Sequence, residues 1–453
     1  MSASPDPGQL AEAAAALKEA NLAFARAHPG ESAGRQPVHT VYGGAQLFAA
    51  DSVPRLGVLA QRALDRYAPD PERLGAALGI SNHPALTTIA ERVRGKLVRE
   101  PIEDFRIDFE DGYGNRPDAE EDQHAHAIAA ALTQGRRAGT LAAFMGIRIK
   151  PLNEELRARS VRTLDLVLTA LAGADGLPEG WVVTIPKITV IEQVGFAVVV
   201  LEQLERKLGL GQGTLRFEVM VETPQVILDS RGTSLLPRLL EVAEGRLLGA
   251  HFGTYDYTAG VNVTAAYQRM RHPACEFAKQ VMQVAFAGTG VWLSDGSTTV
   301  LPVPFHREGD GEERDSAPLS AEQEAANAAS VHAAWRLHFE DVRHSLAGGF
   351  YQGWDLHPAQ LVSRYAALYS FFLDGIDASG ARLKNFVGKA AQATLVGDVF
   401  DDAATGQGLL NFFLRGLNSG AITEAEALAM TGLRAKELRG RSFVAIMKNR
   451  AGA

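Results

Sequence analysis

The sequence predicts an α/β fold, a closed (β/α)8 barrel with an appended C-terminal helical region. Eight short apolar runs alternate with helical patterns, and continuous apolar runs are typical of parallel strands that are buried on both faces. Polar residues collect directly after these runs, which is where catalytic groups lie in such a barrel. An open doubly wound sheet shares the alternation and is the alternative fold.

The eight predicted strands are short and are often rich in β-branched or aromatic residues. Helical patterns lie between them, for example at Leu152–Leu171 and Thr189–Leu208, and residues 43–104 hold more helix than one crossover needs. The predicted strands are Val38–Tyr42, Phe105–Phe109, Met145–Ile149, Trp181–Ile185, Leu215–Val221, Leu247–Phe252, Gly290–Leu293 and Gly349–Trp354.

The chain divides into three predicted parts: a lead-in with a helix (1–37), the barrel (38–375) and a helical region (376–453) that caps the barrel or joins subunits. Gln9–Ala27 is alanine-rich with interspersed charges, which predicts a surface helix, and residues 306–318 form a charged, glycine-rich loop. No strand signal remains after about residue 375. Capping-box spacings predict the start of two later helices, at Ser320 with Gln323 and at Thr423 with Glu426.

Composition narrows the functional classes. At roughly 150 residues per domain, 453 residues correspond to about three domains or one large barrel with additions. Hydrophobic residues at 46% and charged residues at 22% are ordinary for a globular protein and exclude a disordered chain or a coiled-coil rod. The 45 basic and 53 acidic residues leave a net charge of -8, which argues against binding nucleic acid through bulk charge.

The expected location is the cytoplasm. Cys275 is the single cysteine, so an intramolecular disulfide and a cysteine-based metal cluster are excluded. Met1–Gly8 shows no signal-peptide pattern, and the longest apolar runs, such as Phe196–Leu201, are too short to span a bilayer. We therefore expect a soluble protein with neither nucleic acid nor a membrane as its partner.

An acidic stretch follows the second predicted strand. Asp108, Glu110 and Asp111 place three carboxylates within four residues, and Gly112 and Gly114 then allow a sharp turn. Such carboxylates need a cation, hydrogen-bond donors or bulk water. A solvated loop is the alternative interpretation.

Basic residues follow the next two predicted strands. Arg148 and Lys150 share a face of the third strand if the alternation continues, and a buried arginine needs a partner. Arg148 either pairs with the acidic stretch or binds a substrate carboxylate or enolate oxygen through its planar fork. Lys187 follows the fourth strand, and an exposed loop lysine is the alternative interpretation there.

Two further carboxylates suggest a metal site. Glu222 follows the fifth predicted strand, and Asp256 lies 34 residues later, after the sixth. Adjacent strand ends of a barrel bring such side chains close together, and two carboxylates with waters are the usual way to hold magnesium. Together they favour a hard-cation site.

Other candidates carry weaker signals. His251 lines the barrel mouth or is a core histidine, and His357 acts as an acid or base or packs at a helix start. Cys275 has no base beside it and is expected to pack in the core, and Gly209–Gly213 is expected to be a turn.

The ordered set of short motifs resembles the HpcH/HpaI aldolase and citrate lyase β-subunit family. The matching stretches cover about residues 38–374. Gly253–Tyr257 is also similar to the metal-aspartate loop of malate synthase. The matching stretches are Asp108-Phe109-Glu110-Asp111, Arg148-Ile149-Lys150, Pro186-Lys187, Glu222-Thr223, Asp256, and Gly349-Phe350 through His357-Pro358.

The resemblance implies a phosphoenolpyruvate/pyruvate-type TIM barrel that depends on Mg2+, or on Mn2+, and makes or breaks carbon–carbon bonds. It implies a 2-oxo acid substrate such as pyruvate or oxaloacetate, an acyl-CoA as a further substrate, and a homo-oligomer. The resemblance also implies a role for each site residue. Glu222 and Asp256 bind the metal, and Glu110 and Asp111 are catalytic acids that hold metal-bound water. Arg148 is catalytic and binds substrate, and Lys187 and Asp108 bind substrate as well.

Several positions depart from the family pattern. Lys150 stands where the family has asparagine, Gly112–Asn115 replaces its usual sequence after the acidic stretch, and Gln352–Trp354 lacks its lysine. Because of these departures, the resemblance does not extend to the second substrate, and in particular not to coenzyme A.

The leading hypothesis is a magnesium-dependent lyase that works through an enolate intermediate. The candidates for its general base are Asp355, His357, His251 and a metal-bound hydroxide. One alternative is a phosphotransferase that uses phosphoenolpyruvate on the same barrel. The other is a non-catalytic barrel.

Overall fold

The barrel prediction is confirmed. The computed structural model describes residues 7–30, 34–307, 318–388, 394–396, 399–401, 403–440 and 446. Eight parallel strands close into a barrel in chain order, so the open-sheet alternative is excluded. The strands are β1 Thr40–Gly44, β2 Asp104–Asp108, β3 Phe144–Arg148, β4 Trp181–Ile185, β5 Arg216–Val221, β6 Leu247–Phe252, β7 Trp292–Ser297 and β8 Gln352–Asp355.

Strand boundaries differ from the prediction where strands carry polar residues. β4 and β6 have the predicted bounds, whereas β1 begins and ends two residues later than predicted. β7 and β8 include Ser294 and Gln352, both buried. Polar side chains fill part of the barrel interior, so a search for apolar runs misplaces these strand ends.

Helices surround the barrel and fill the long connection between β1 and β2. That connection holds three helices, as the sequence predicts for residues 43–104. The helices are α1 Pro7–Ala27, α2 Ser52–Tyr67, α3 Pro71–Leu78, α4 Leu86–Arg99, α5 Asp118–Ala138, α6 Arg157–Ala172, α7 Ile191–Leu208, α8 Pro224–Ile227, α9 Leu236–Val242, α10 Thr254–Gly260, α11 Pro273–Phe286, α12 Ala321–Ala347, α13 Gln360–Asp374, α14 Ile376–Gly388, α15 Ala403–Asn418, α16 Glu424–Thr431 and α17 Ala435–Arg439.

The C-terminal region corrects one expectation. Besides α14–α17 it contains a two-stranded antiparallel sheet, β9 Thr394–Val396 and β10 Val399–Asp401, where no strand was predicted. Strands of three residues are too short to show a period-2 pattern, so sequence periodicity cannot detect them.

Several local predictions are confirmed. Both capping boxes form, at Ser320 and at Thr423. Cys275 is buried, and Gly209 ends α7 in the left-handed conformation of a turn. The surface helix predicted at Gln9–Ala27 is α1, which is exposed from residue 8 onward. The predicted loop at 306–318 falls mostly on residues 308–317, outside the described residues.

Among the described residues, no helix combines the length and apolar character needed to cross a bilayer.

A charged network fills the lower part of the barrel. Arg106 is buried between Asp104 and Glu218, with its Nη2 2.9 Å from Glu218 Oε2. His251 Nε2 lies 3.0 Å from the same Glu218 oxygen, and Trp354 donates a hydrogen bond to His251 Nδ1. His251 is therefore a satisfied core histidine. Burial raises the pKa of Asp104 to about 6.

Replacing Arg106 by methionine should destabilise the barrel strongly. The change leaves Asp104 and Glu218 buried with less compensation, and breaking a buried ion pair costs about 3–5 kcal/mol. Urea unfolding followed by circular dichroism measures the loss. The matched change Arg137→Met removes the exposed pair with Asp175 and should leave the unfolding midpoint unchanged. Equal midpoints for wild type and Arg106→Met would contradict the role of the network.

Candidate active site

Seven polar side chains meet at the carboxyl ends of strands β2–β6. We call this set the mouth cluster. The structure joins them through ion pairs, hydrogen bonds and electrostatic contacts, and all seven come from the residues singled out in the sequence. The mouth cluster consists of Asp108, Glu110, Asp111, Arg148, Lys187, Glu222 and Asp256.

Asp108 holds Arg148 in place. Arg148 Nε donates to Asp108 Oδ1 at 2.7 Å, and Nη2 donates to Oδ2. Asp108 also accepts the backbone N–H groups of Glu110 and Gly112, at 2.9 and 2.7 Å. A Cβ at position 112 would lie 2.7 Å from Asp108 Oδ2, so glycine is required for this turn. The buried oxygens of Asp108 are engaged within the protein, and its predicted contact with substrate stays a prediction.

One nitrogen of Arg148 is not hydrogen-bonded to Asp108. Two nitrogens of its fork are held by Asp108, whereas Nη1 lies 3.2 Å from Glu110 Oε2. The guanidinium also lies 4.8 Å from the centre of the Tyr42 ring. Burial alone would lower the pKa of Arg148, but the neighbouring carboxylates raise it, so the side chain stays charged. Arg148 thus pairs with the acidic stretch and still presents a charged donor.

Lys187 is a central cation and not a free loop lysine. Its backbone is left-handed, with φ of 51°, a conformation that costs energy in a residue with a Cβ. Its N–H donates to Glu222 Oε1 at 2.7 Å. Its ammonium group pairs with Glu110, lies 3.2 Å from Asp111 and reaches Asp256 at 3.7 Å. Lys187 therefore connects the end of β4 with the end of β5 through its backbone, and with the ends of β2 and β6 through its ammonium group.

Glu222 is the most strongly perturbed carboxyl group of the mouth cluster. It is buried, and burial together with the charge of Asp256 raises its pKa to about 8, although Lys187 and Arg148 oppose the shift. Asp256 lies in the first turn of α10. A Cβ at position 253 would lie 2.4 Å from Glu222 Cβ, so Gly253 permits the loop before Asp256 to contact Glu222.

The mouth cluster has the charge and the donor atoms that a divalent cation needs. Five carboxylates surround two cations, and Glu110 Oε2 is buried without a hydrogen bond, although Arg148 lies near it. Within the described ranges, no group of three or more His, Cys, Asp or Glu side chains forms a ready metal site. Mg2+ is usually bound by one or two carboxylates together with waters, so the surplus of carboxylates is compatible with this ion, and the metal site at Glu222 and Asp256 stays a prediction.

The remaining candidates have other partners. Asp355 is engaged by His39 and by Arg364, which holds the pKa of this carboxyl well below its usual range although burial opposes it. His251 pairs with Glu218. Lys150 lies beyond the end of β3, so strand alternation does not place it beside Arg148. It donates to Phe109 O at 2.6 Å and pairs with Glu121.

Tyr42 is a residue of the site that the sequence pattern does not indicate. It ends an apolar run that predicts a strand, and the structure places its ring against both Arg148 and Trp354. The available signal was its position two residues after Thr40, which puts both side chains on the inner face of β1.

The fold and the mouth cluster define a closed (β/α)8 barrel with a polar site at the carboxyl ends of its strands, the usual position of catalytic groups in this class. The family model of DUF6986, a domain of unknown function, matches residues 17–446. The chain therefore belongs to the DUF6986 family. No curated protein matches the sequence.

Solved structures align with this chain at low sequence identity. A citrate lyase from Burkholderia xenovorans LB400 aligns with a TM-score of 0.54 and 18% identity, over 88% of this chain and 98% of that one. A malate synthase from Haloferax volcanii aligns with a TM-score of 0.46 and 15% identity, over 89% and 96%. CitE from Mycobacterium tuberculosis, in complex with magnesium, acetoacetate and coenzyme A, aligns with a TM-score of 0.46 and 14% identity, over 86% and 100%.

The raised pKa of Glu222 predicts how pH affects stability without metal. From its ordinary value of 4.5 to about 8, the folded state keeps a proton that the unfolded state has lost. The free energy of unfolding should therefore fall as pH rises through this window, by at most about 1.4 kcal/mol per pH unit from this group. Glu222→Gln should show a shallower fall.

Urea unfolding in EDTA at a series of pH values between 5 and 8 measures this slope. Glu155→Gln, the same change at an exposed position, is the control and should keep the wild-type slope. Identical slopes for wild type and Glu222→Gln would show that Glu222 does not hold the proton.

Proposed function

We propose that this protein is a magnesium-dependent carbon–carbon lyase of the aldolase and citrate lyase type, acting on a 2-oxo acid or an acyl-CoA-type substrate through an enolate. The observation that carries the proposal is the mouth cluster itself. A surplus of carboxylates, one of them buried with a strongly raised pKa, lies around the guanidinium group of Arg148, whose Nη1 is 3.2 Å from Glu110 Oε2. The shared barrel fold and the ordered motifs support the proposal.

Glu222 and Asp256 would hold Mg2+, which supplies Lewis-acid stabilisation of a developing enolate when it is bound. Binding a cation would draw the raised pKa of Glu222 down and remove the energetic cost of charging this buried carboxyl.

Arg148 would bind the substrate carboxylate or the oxygen that becomes the enolate. Nη1 is the nitrogen available for this, because Asp108 occupies the other edge of the fork. Fixed donors aimed at a developing charge need no reorganisation during the reaction, which is the main source of their effect. Asp108 is then a positioning residue that fixes the guanidinium, and the Tyr42 ring supports its face.

Lys187 would compensate negative charge in the site, and the acidic stretch would transfer protons. Burial raises the pKa of Glu110, while Asp111 is more exposed. Glu110 is thus suited to carry a proton at Oε2, the oxygen without a hydrogen bond. Lys187 would compensate charge as substrate and Mg2+ enter.

The phosphotransferase alternative is less well supported. It would share the metal and Arg148 with the lyase, but a phosphate group carries more negative charge than a 2-oxo acid, and in the mouth cluster carboxylates already outnumber cations. The non-catalytic alternative predicts ligand binding without turnover. An acyl-CoA substrate, a homo-oligomer and a cytoplasmic location stay predictions.

Proton NMR of pyruvate in deuterated water tests enolisation directly. With Mg2+ and wild-type protein, the methyl signal should disappear as its protons exchange. Glu222→Gln should exchange at least about a hundredfold more slowly, because the proposed metal ligand is lost. The matched change Asp165→Asn, on the outer helix α6, should leave exchange unchanged. Exchange that needs neither Mg2+ nor Glu222 would refute the proposed site.

Arg148→Lys tests the fork. Lysine keeps the positive charge but lacks the planar fork that makes two parallel hydrogen bonds to Asp108 and fixes a separate nitrogen beside Glu110. We expect the rate of pyruvate exchange to fall by about a hundredfold or more at saturating substrate. Circular dichroism checks that the variant is folded. Wild-type rates in a folded Arg148→Lys protein would show that charge alone suffices.

A further inference from the structure

Helix α1 exposes its large apolar side chains to solvent. Every residue from Gln9 to Ala27 is exposed, including Leu10 at 55%, Leu17 at 60% and Phe24 at 64%. In proteins most of the stability of a helix comes from packing its apolar face against another element. A helix of 21 residues that leaves such side chains in water therefore indicates a surface that a partner covers.

The apolar residues of α1 repeat every seven positions. A seven-residue repeat with apolar residues at its first and fourth positions, called a and d, is typical of helices that pair along their length. We call the stripe that these positions form the α1 seam. All six of its positions are apolar, with Leu10, Leu17 and Phe24 at a and Ala13, Ala20 and Ala27 at d.

The charged residues of α1 lie outside the seam. Glu12, Lys18, Glu19 and Arg26 are its four charged residues, and none of them occupies an a or d position or a position that flanks the seam. Leu22 also lies on the charged side, one turn after Lys18. Two negative and two positive charges leave α1 without net charge, so two copies of the helix do not repel each other as like charges would.

The alternation of large and small residues along the seam fits a second copy of α1 in the opposite direction. In a parallel pair, a faces a and d faces d, which would set leucine against leucine and leave gaps between facing alanines. In an antiparallel pair each large residue faces an alanine, so the seam fills evenly. Leu10 then faces Ala27 of the second copy, Leu17 faces Ala20, and Phe24 faces Ala13.

The connection to α1 lies on the side of the barrel away from the mouth cluster. Gly30 donates its N–H to Gly288 O at 2.7 Å, in the turn between α11 and β7. This turn precedes β7 and so lies at the amino ends of the strands, whereas the mouth cluster lies at their carboxyl ends. An inference about α1 therefore does not depend on the proposed function.

We propose that α1 is a dimerisation helix, and that two copies of this chain pair in antiparallel fashion along the α1 seam. The twofold axis passes between Leu17 and Ala20, and each copy contributes the same residues to the contact. The helix is about 32 Å long, which sets the length of the contact. Half of the seam positions are alanine, so the contact is narrow and association depends on protein concentration.

Disulfide cross-linking tests the pairing and its direction. Cys275 is the single cysteine of the chain and is buried, so cysteines introduced into α1 report on α1. Leu10→Cys and Ala27→Cys proteins, one of them carrying a mass tag, are mixed and oxidised under mild conditions. We expect cross-links between the two variants and few within either one, because residues 10 and 27 face each other only in the antiparallel pair. Cross-links predominantly within each variant would overturn the antiparallel pairing.

Ala15→Cys and Leu22→Cys are the matched control pair. In an antiparallel pair they have the same relation to the twofold axis, but they lie on the side of α1 opposite the seam, so they should not cross-link. Equal cross-linking of the control pair and the seam pair would show random collision and overturn the proposal. Failure of the seam pair to cross-link would overturn it as well.

Sedimentation velocity over a series of protein concentrations measures the assembly without a cross-link. Leu17→Asp brings two carboxylates together at the centre of the paired seam and should halve the mass of the wild-type assembly. Leu22→Asp makes the same change on the opposite side of the helix, at a residue that is 44% exposed, and should keep the wild-type mass. Circular dichroism checks that both variants are folded. An unchanged mass for Leu17→Asp would refute pairing through the seam.

A different cover for the seam is an apolar stripe on α11 of the same chain. Phe277 is 49% exposed and Val284 is 81% exposed on that helix. A chain that carries both Leu17→Cys and Val284→Cys distinguishes the two arrangements. A disulfide that closes within one chain would place α1 on its own α11 and overturn the proposal.

Discussion

The ion pair between Asp108 and Arg148 is the contact on which the mouth of this barrel depends. It joins the ends of β2 and β3, and Asp108 also ties the following turn through two backbone N–H groups. One carboxylate thereby orients a cation, closes a loop and places Glu110 next to the remaining nitrogen of Arg148. Without this ion pair, Arg148 would lack its bidentate partner, and the acidic stretch would lose its hydrogen bonds from the Arg148 guanidinium group.

Charge imbalance increases from the floor of the barrel to its mouth. On the floor, Arg106 and His251 lie against Asp104 and Glu218, and the network is closely paired. At the mouth, five carboxylates face two cations, and burial raises the pKa of Glu222 to about 8. A fold that only needed stability would pair these groups or replace them with apolar residues. This imbalance makes the mouth, and not the floor, suited to binding a cation.

The barrel, its eight strands and the seven residues of the mouth cluster were accessible from the sequence alone. Apolar runs followed by Asp108, Arg148, Lys187 and Glu222 mark strand ends, because parallel barrels place polar groups there. The capping boxes at Ser320 and Thr423 were accessible too, since their contacts span only three residues.

Only the tertiary structure decided which nitrogen of Arg148 lies beside Glu110, that Lys187 is central to the mouth cluster, and that the Tyr42 ring packs against Arg148. These properties depend on contacts between residues as far apart as Lys187 and Glu110, separated by 77 positions. The small β9–β10 sheet was invisible for the opposite reason, because three residues are too few to carry a periodic pattern. Local patterns specify the elements, whereas the pairing of charges arises only when distant strands become neighbours.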